Sequence, residues 1–377
     1  MGIGRGKREI MKKIVIWTMA IAVAALATVG LATPAFAAPV TSSNVATIGG
    51  ANFVSTSADG TITAAYSADT GLSVYNSTTD QVSSYTAIFL GMTHVGEAVV
   101  SPDGTEIYIL GDNPQAVAVF NVSSETVTRT IALPFSAWMG AITPDGSTLL
   151  VYAKTTQEIL KIDLGSDTVS TPLNLGLDYP YQLCVTSNGS TVYVPGYDAG
   201  YTSIVDIGSL TQTGTLPDTD QPLNCVLGAD DTLFIGDYAT GAVRKYAADG
   251  SNIVSAAGLA EEMYGMGLTC NSVIVGDYQN TGYAVLDRTT LEQTGSIASE
   301  VYTYMMTVTA DAKTTWVGGY YAAQGLQSIT EDNCPVAAPT LPNTGISSQG
   351  AFMMTGIASL ALALGAGLIM HRRRKNS

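Results

Sequence analysis

The chain has 377 residues, of which 46% are hydrophobic and 12% charged, and its net charge at neutral pH is −15. Its 31 acidic residues outnumber 16 basic ones, so its surface repels nucleic-acid phosphates and we expect no nucleic-acid partner. Only two histidines occur, which disfavours histidine-based metal sites and acid–base pairs.

The N-terminus has the three parts of a secretory signal peptide. A basic segment that ends at Lys13 is followed by an apolar run over residues 14–31. The sequence Ala35-Phe36-Ala37 then provides a small-x-small cleavage site. We predict that residues 1–37 are removed on export.

A strand, a tight turn and a second strand recur seven times in the central region. The turns include Asp103-Gly104, Asp145-Gly146 and Asn188-Gly189, which supply the left-handed backbone that a tight hairpin needs. The ends of the second strands are 40 to 44 residues apart, the period of a four-stranded propeller blade. These ends are Ala68, Asp112, Lys154, Tyr197, Tyr238, Tyr278 and Tyr320.

The repeat predicts an all-β, seven-bladed β-propeller over residues 45–334, with four antiparallel strands in each blade. The last repeat contains only three strands and ends near Ile329. An extra outer-type strand over residues 45–48 precedes the first repeat. We predict that this N-terminal strand completes the seventh blade and removes an open edge.

The repeat units resemble a known family. Residues 101–109 read SPDGTEIYI and residues 143–152 read TPDGSTLLVY, each followed by an apolar strand that ends in Asn or Asp. These units look like those of the YVTN/lactonase-like seven-bladed propellers. The resemblance is weaker in blades five to seven, where the Pro-Asp-Gly turn is replaced. Members of the family differ in function, so the resemblance implies the fold rather than an activity.

Four cysteines lie in the exported region: Cys184, Cys225, Cys270 and Cys334. None has CxxC spacing, so the sequence gives no support for a zinc ribbon or haem attachment. An exported protein can form disulfides, but Cys184 and Cys225 lie on apolar strands that suit buried thiols equally well.

Strand order places the loops after the second and fourth strands of every blade on one face, which is rich in aromatic and acidic residues. Such a face suits a sugar or a peptide. Side chains that break the repeat are predicted to contact the ligand, namely Trp138, Tyr181, Tyr264 and Tyr304. We predict that Asp237 and Asp277 orient the ligand or hold a cation. The alternative is that the repeated tyrosines wedge between blades and that the aspartates cap their own loops.

Catalysis has little support in the sequence. His94 is the sole histidine between residues 38 and 344, the predicted mature chain. It could form an acid–base pair with Glu97 on the same face, but we predict no catalytic residue. We expect no cofactor either, because the chain contains no phosphate-binding glycine loop in a strand-to-helix context. Calcium held by carboxylates alone is the alternative, although no calcium-loop motif is present.

The C-terminus resembles the sorting signal of Gram-positive surface proteins. Leu341-Pro342-Asn343-Thr344-Gly345 is followed by an apolar stretch over residues 351–370 and by a basic tail. The resemblance implies that a sortase cleaves after Thr344 and joins the chain to peptidoglycan. It also implies that residues 351–370 occupy the membrane only transiently. We predict a short linker over residues 335–340 and a sorting signal over residues 341–377.

Removal of both termini leaves 7 basic and 30 acidic residues, a net charge of −23. We therefore predict a secreted protein, covalently anchored to the cell wall, whose propeller binds or scaffolds an extracellular glycan, peptide or protein. The alternative function is that of an extracellular lactonase-type or lyase-type enzyme that uses carboxylates on the rim.

Overall fold

The computed structural model describes residues 40–46, 51–67, 71–86, 91–216, 220–247, 250–319, 325–332 and 334. All secondary-structure elements in these ranges are β-strands. Within the same ranges, no helix is long and apolar enough to cross a membrane. The predicted signal peptide, the linker and the sorting signal with its apolar stretch lie outside the described residues.

The first strand and the first three blades occupy the N-terminal half of the fold. Strand β1 spans Val40–Ala46. Blade 1 contains β2 (Phe53–Thr56), β3 (Ile62–Ser67), β4 (Gly71–Asn76) and β5 (Gln81–Tyr85). Blade 2 contains β6 (His94–Val100), β7 (Glu106–Asn113), β8 (Gln115–Asn121) and β9 (Thr126–Ala132). Blade 3 has a divided outer strand and contains β10 (Met139–Ile142), β11 (Thr148–Ala153), β12 (Glu158–Asp163), β13 (Thr168–Val169) and β14 (Leu173–Asn174).

The remaining four blades follow in chain order. Blade 4 contains β15 (Cys184–Val185), β16 (Thr191–Gly196), β17 (Tyr201–Asp206) and β18 (Thr211–Leu216). Blade 5 contains β19 (Pro222–Leu227), β20 (Leu233–Asp237), β21 (Val243–Tyr246) and β22 (Asn252–Ala256). Blade 6 contains β23 (Met263–Leu268), β24 (Ser272–Asp277), β25 (Tyr283–Asp287) and β26 (Gln293–Ile297). Blade 7 contains β27 (Thr303–Val308), β28 (Thr314–Gly319), β29 (Leu326–Glu331) and β1.

The blades close into a ring. The innermost strand of each blade contacts the innermost strand of the next, and β27 of blade 7 contacts β2 of blade 1. The predicted seven-bladed propeller is therefore confirmed. The ring directs the start of every innermost strand and the end of every second strand to one face, around the mouth of the central channel.

The N-terminal strand closes blade 7, as predicted, but its position differs. It spans Val40–Ala46 and pairs with β29, with Val40 opposite Glu331 and Ala46 opposite Leu326. The prediction placed it at residues 45–48. Because the first residue of β1 pairs with Glu331, at the end of β29, the strand begins at Val40, five residues before the predicted start.

The same arrangement of hydrogen bonds recurs in the turns between the first and second strands of blades 1 to 3. In blade 2, Oδ1 of Asp103 accepts hydrogen bonds from the Ser101 hydroxyl (2.6 Å) and from the Thr105 amide (3.1 Å). Gly104 adopts a φ of +70°, in the left-handed region that favours glycine. These contacts explain why the Asp-Gly and Asn-Gly turns signal the repeat so clearly.

Burial differs between the middle and outer strands. Strand β7 is buried on both faces from Ile107 to Gly111, whereas most residues of the Thr-rich outer strand β9 are wholly or partly exposed. Fully buried aromatic rings such as Phe120 and Tyr152 fill the space between blades. Burial of one such side chain contributes roughly 2 kcal/mol.

Both cysteine pairs form disulfides. Cys184 on β15 is bonded to Cys225 on β19, with a Cα–Cα distance of 6.0 Å, so the bond joins the innermost strands of blades 4 and 5. Cys270 is bonded to Cys334, with a Cα–Cα distance of 5.6 Å. The structure thus selects the disulfide over the free thiol, the two alternatives that the sequence leaves open.

Candidate functional site

The four aromatic residues predicted to contact a ligand all lie at the channel mouth. Trp138 and Tyr181 precede the innermost strands of blades 3 and 4, whereas Tyr264 and Tyr304 lie within β23 and β27. At Tyr264 and at Tyr304 the register to the next strand shifts by one residue. Each is the extra residue of a β-bulge, a feature that re-aims a side chain. Tyr264 and Tyr304 therefore lie on strands rather than on the loops that form the predicted face.

The four side chains form one continuous set of ring contacts. Ring centroids lie 6.1 Å apart for Trp138 and Tyr181, and 5.4 Å apart for Tyr181 and Tyr264. Tyr264 and Tyr304 are also 5.4 Å apart. Distances of this size are typical of favourable aromatic pairs. All four side chains are half-buried, so each retains surface for a ligand.

The repeated tyrosines join the same set. Tyr238 lies 5.4 Å from Tyr264 and 5.3 Å from Tyr197, and Tyr278 lies 4.7 Å from Tyr264. The structure therefore does not separate repeated tyrosines that only pack from non-repeated aromatic residues that face a ligand. We call the whole set the aromatic cluster; it comprises Phe53, Trp138, Tyr181, Tyr197, Tyr238, Tyr264, Tyr278 and Tyr304.

Phe53 supports the aromatic cluster from blade 1. Its ring is only 8% exposed and makes edge contacts with Trp138 at 5.9 Å and Tyr304 at 5.6 Å. No signal in the sequence distinguishes Phe53, because it begins β2 and looks like any apolar residue of a strand. Its role depends on the closure of the ring, which brings blade 1 beside blade 7.

The phenol groups of the aromatic cluster are electrostatically coupled. The rings of Tyr264 and Tyr304 lie 5.4 and 6.1 Å from that of Tyr181, close enough for the charge of one phenolate to affect the others. Burial raises the pKa of Tyr181, and the negative charge that Tyr304 would carry raises it further. Burial likewise raises the pKa of Tyr264. At neutral pH the mouth therefore presents neutral hydroxyls, which both donate and accept hydrogen bonds.

Asp237 stabilises its own loop. It is fully buried, and Oδ2 accepts hydrogen bonds from the amides of Asp220 (2.7 Å) and Gln221 (2.8 Å). Oδ1 accepts the amide of Thr240 at 3.0 Å. Although burial alone raises the pKa of Asp237, these hydrogen bonds hold it below its ordinary value.

Asp277 has a similar environment in blade 6. Its Oδ2 accepts the amide of Glu261 at 2.8 Å, and its Oδ1 accepts the amide of Gln279 at 2.7 Å. Both aspartates therefore match the loop-capping alternative. Their contact with a ligand or a cation stays a prediction, and the geometry gives these carboxylates a structural task instead.

Glu262 lies beside the aromatic cluster, and its backbone carbonyl accepts the Tyr278 amide at 2.9 Å. It is half-buried, and its Oε2 accepts a hydrogen bond of 3.0 Å from Nε2 of Gln279. Burial, followed by a hydrogen bond with Glu262, raises the pKa of Tyr238. Burial raises the pKa of Tyr197 and of Tyr264, and the charge of Glu262 adds to both increases. Sequence placed Glu262 on the rim but gave no reason to prefer it to its neighbour Glu261.

Lys154 is the cation of this region. Its ammonium Nζ lies 3.5 Å from the ring centroid of Tyr179 and 4.6 Å from that of Trp138. Lys154 occupies the repeat position that tyrosine takes in blades 4 to 7. This departure from the repeat is the signal that could have identified it.

Glu97 lies deeper, on the innermost strand of blade 2. It belongs to a bulge of β6, is 3% exposed, and accepts the amide hydrogen of Gly140 at 2.7 Å. Burial raises its pKa to about 8. The backbone of His94 begins the same strand, and an acid–base pair between the two stays a prediction. Across the described ranges, no group of three or more His, Cys, Asp or Glu could hold a metal ion.

Comparisons with known proteins identify the fold. No family model matches the chain, and no curated protein matches it. The solved structure of hydrazine synthase from Kuenenia stuttgartiensis is similar, with a TM-score of 0.63 over 77% of this chain and 97% of that chain. The two sequences are 13% identical, so the likeness shows the fold alone. Solved structures of 1756 chains match, and such a widespread architecture does not select one function.

Proposed function

We propose that this chain is a secreted, sortase-anchored cell-wall protein of a Gram-positive bacterium, and that its propeller binds an extracellular ligand at the aromatic cluster. The ligand is a glycan, a peptide or a protein segment. The aromatic cluster is the observation that supports binding most directly. Membership of the YVTN/lactonase-like family is part of the same proposal.

The ends of the sequence support the location. The three-part N-terminal signal and the ordered series of Leu-Pro-Asn-Thr-Gly, apolar stretch and basic tail fit export followed by sortase cleavage after Thr344. The two disulfides fit an oxidising compartment. In this proposal the partners are a sortase, peptidoglycan and the ligand.

The channel mouth supports binding. Half-buried tryptophan and tyrosine rings offer large apolar faces with polar tips, and such residues dominate the energetics of many interfaces. Glu262 and the phenol hydroxyls add hydrogen-bonding groups among the rings. A site with these features can bind a partly apolar, partly polar ligand.

The alternative, an enzyme that uses rim carboxylates, receives less support from the geometry. Asp237 and Asp277 accept several hydrogen bonds from their own loops, which leaves these carboxylates poorly placed to activate a substrate. Glu97, whose raised pKa would suit a general acid, is buried and accepts the Gly140 amide. The breadth of the aromatic cluster favours binding over catalysis.

Anchoring is tested by Thr344→Ala, with Thr340→Ala outside the motif as the matched control. We expect wild type and the control to be released from cells only by a muralidase. The Thr344→Ala protein should instead appear in the membrane fraction or in the medium. Muralidase-dependent release of the Thr344→Ala protein would overturn the proposed anchoring.

Binding is tested by probing glycan and peptide arrays with residues 38–340. Trp138→Ala and Tyr264→Ala should abolish the array signal, whereas Ile253→Ala, on the exposed outer strand of blade 5, should retain it. Because Tyr264 contacts several rings, its variant should lose roughly 1–3 kcal/mol of stability. Arrays are therefore probed well below the melting temperature of each variant. A signal that survives both cluster substitutions would exclude this site.

A further inference from the structure

We infer that the ligand of the aromatic cluster carries an amino group that is protonated at neutral pH, and that this ammonium binds beside Glu262, among Tyr197, Tyr238 and Tyr264. The inference rests on the proposed binding function and adds the chemical class of the ligand. Its support comes from the chain's own lysine, from the position of Glu262 and from the charge of the face.

Lys154 shows how an ammonium binds at this mouth. Its Nζ lies over the rings of Tyr179 and Trp138, at distances at which a cation is attracted to the ring face. Tyr179 is 39% exposed, so this contact forms at the surface rather than in the core. Within the described part of the chain, Lys154 forms no ion pair with a carboxylate. The Lys154 ammonium is therefore bound by the ring faces of Trp138 and Tyr179.

The surroundings of Glu262 also suit an ammonium group. The Glu262 carbonyl accepts the Tyr278 amide at 2.9 Å, and the next residue, Met263, donates its amide to the Tyr238 carbonyl at 3.3 Å, so Glu262 lies beside both tyrosines. Burial and then Glu262 raise the pKa of Tyr238, which fits this position. Tyr197 and Tyr238, like Tyr238 and Tyr264, meet nearly at right angles, at 67° and 80°. An ammonium at this position would meet ring faces, hydroxyl oxygens and one carboxylate together, which favours a cation over a neutral group.

The charge around the mouth favours a cationic ligand as well. The other described basic residues are already paired: Arg129, Arg244, Arg288 and Lys313 with carboxylates, and Lys161 and Lys245 with backbone carbonyls. Lys154 is therefore the one basic side chain associated with the aromatic cluster in the described ranges. An anionic ligand would find no basic group beside Glu262, whereas an amine finds an acidic field.

The test measures binding of acetyl-Lys-Lys-Lys-amide to residues 38–340 by calorimetry. The same peptide with acetylated side-chain amines is the neutral comparison, since acetylation removes the charge. Glu262→Gln is compared with Glu261→Gln, which removes the same charge from an exposed neighbour. Melting curves of both variants verify that the fold is retained.

We expect the charged peptide to bind and the acetylated peptide to bind at least tenfold more weakly. Glu262→Gln should weaken binding of the charged peptide roughly tenfold, the size expected for one lost charged contact. Glu261→Gln should change it by less than about threefold, because exposed charges are screened. Lys154→Gln should strengthen binding about threefold, because it removes a like charge beside the cluster.

Equal weakening by the two glutamate variants would show diffuse attraction to an acidic protein and would overturn the inference. So would equal binding of the charged and acetylated peptides. If a neutral oligosaccharide binds in a Trp138-dependent manner and the charged peptide does not, the inference fails while the proposed binding function stands. If neither an array ligand nor the peptide binds, the inference and the proposed binding function both fail.

Discussion

The carboxylate of Glu331 accepts a hydrogen bond of 2.7 Å from the hydroxyl of Thr269, a residue 62 positions earlier in the chain. It also accepts the amide of Asn271 at 3.0 Å. In blades 1 to 3, an aspartate within the turn makes the equivalent bonds. Blade 6 lacks that aspartate, and the last strand of the propeller supplies a glutamate in its place.

Because Glu331 takes the place of the missing turn aspartate of blade 6, we predict that Glu331→Ala strongly destabilises the protein. Four hydrogen bonds end on this buried carboxylate, and its loss leaves their donors without an acceptor. We expect the free energy of unfolding to fall by about 2–4 kcal/mol in urea denaturation. Glu292→Ala, on an exposed turn, is the control and should have little effect. Similar unfolding free energies for the two variants would contradict this role of Glu331.

The closing strand predicts the effect of an N-terminal truncation. A chain that begins at residue 47 lacks β1, so the edge of β29 is exposed in blade 7. We expect a loss of several kcal/mol, a large part of a typical domain stability. The matched control begins at Ala38 and retains β1. If the two chains melt at the same temperature, β1 does not stabilise the ring.

The turn aspartates predict loss of stability in acid. Hydrogen bonds from Ser101 and Thr105 lower the pKa of Asp103, and those from Thr143 and Ser147 lower that of Asp145. Since both folded-state pKa values lie below the unfolded value of 3.8, the stabilisation is present above that pH and is lost as the pH falls toward the folded values.

Blade 4 provides the substitution that tests this effect. Asn188 occupies the equivalent position there and accepts the Thr186 hydroxyl at 2.8 Å, so asparagine is compatible with the turn. We expect the double variant Asp103→Asn and Asp145→Asn to fold, with a melting temperature that depends less on pH between 5 and 2 than that of wild type. A pH dependence identical to that of wild type would contradict the prediction.

Glu97 predicts the opposite pH dependence. Its folded-state pKa of about 8 lies above the unfolded value of 4.5, because burial disfavours the carboxylate. The stabilisation is therefore complete below about pH 4.5 and is lost as the pH rises toward 8. Glu97→Gln keeps an acceptor for the Gly140 amide and does not ionise. We expect the variant to gain a few kcal/mol over wild type between pH 5 and pH 8.5 in urea denaturation. If the difference in unfolding free energy between the variant and wild type is the same at pH 5 and at pH 8.5, Glu97 does not titrate in this range.

The fold was predictable because its signals are local. Each Asp-Gly turn and the apolar strands beside it lie within some fifteen residues, and their recurrence gives the period and the number of blades. The incomplete last repeat predicted closure by the N-terminal strand. The exact position of that strand was missed because it is set by the register of its pairing with β29, almost three hundred residues away in the chain.

The site was predictable only in part. Sequence placed Trp138, Tyr181, Tyr264 and Tyr304 on one face, and the structure brings their rings together. It could not show that bulges position Tyr264 and Tyr304, because a bulge is a relation between two strands. The partners of Lys154 and Glu262 are also set by the ring of blades rather than by nearby sequence.

The Cys270–Cys334 disulfide has a mechanical consequence for a chain anchored as we propose. A covalent link to peptidoglycan at Thr344 would transmit any pull on the cell surface into the propeller at Cys334, ten residues away. Without the disulfide, tension would reach β29 and peel it, with β1, from blade 7. With the disulfide, the load passes through Cys270 into blade 6, and the closing strands stay unloaded. The bond would thus act as a strain relief at the point where the folded body meets its tether.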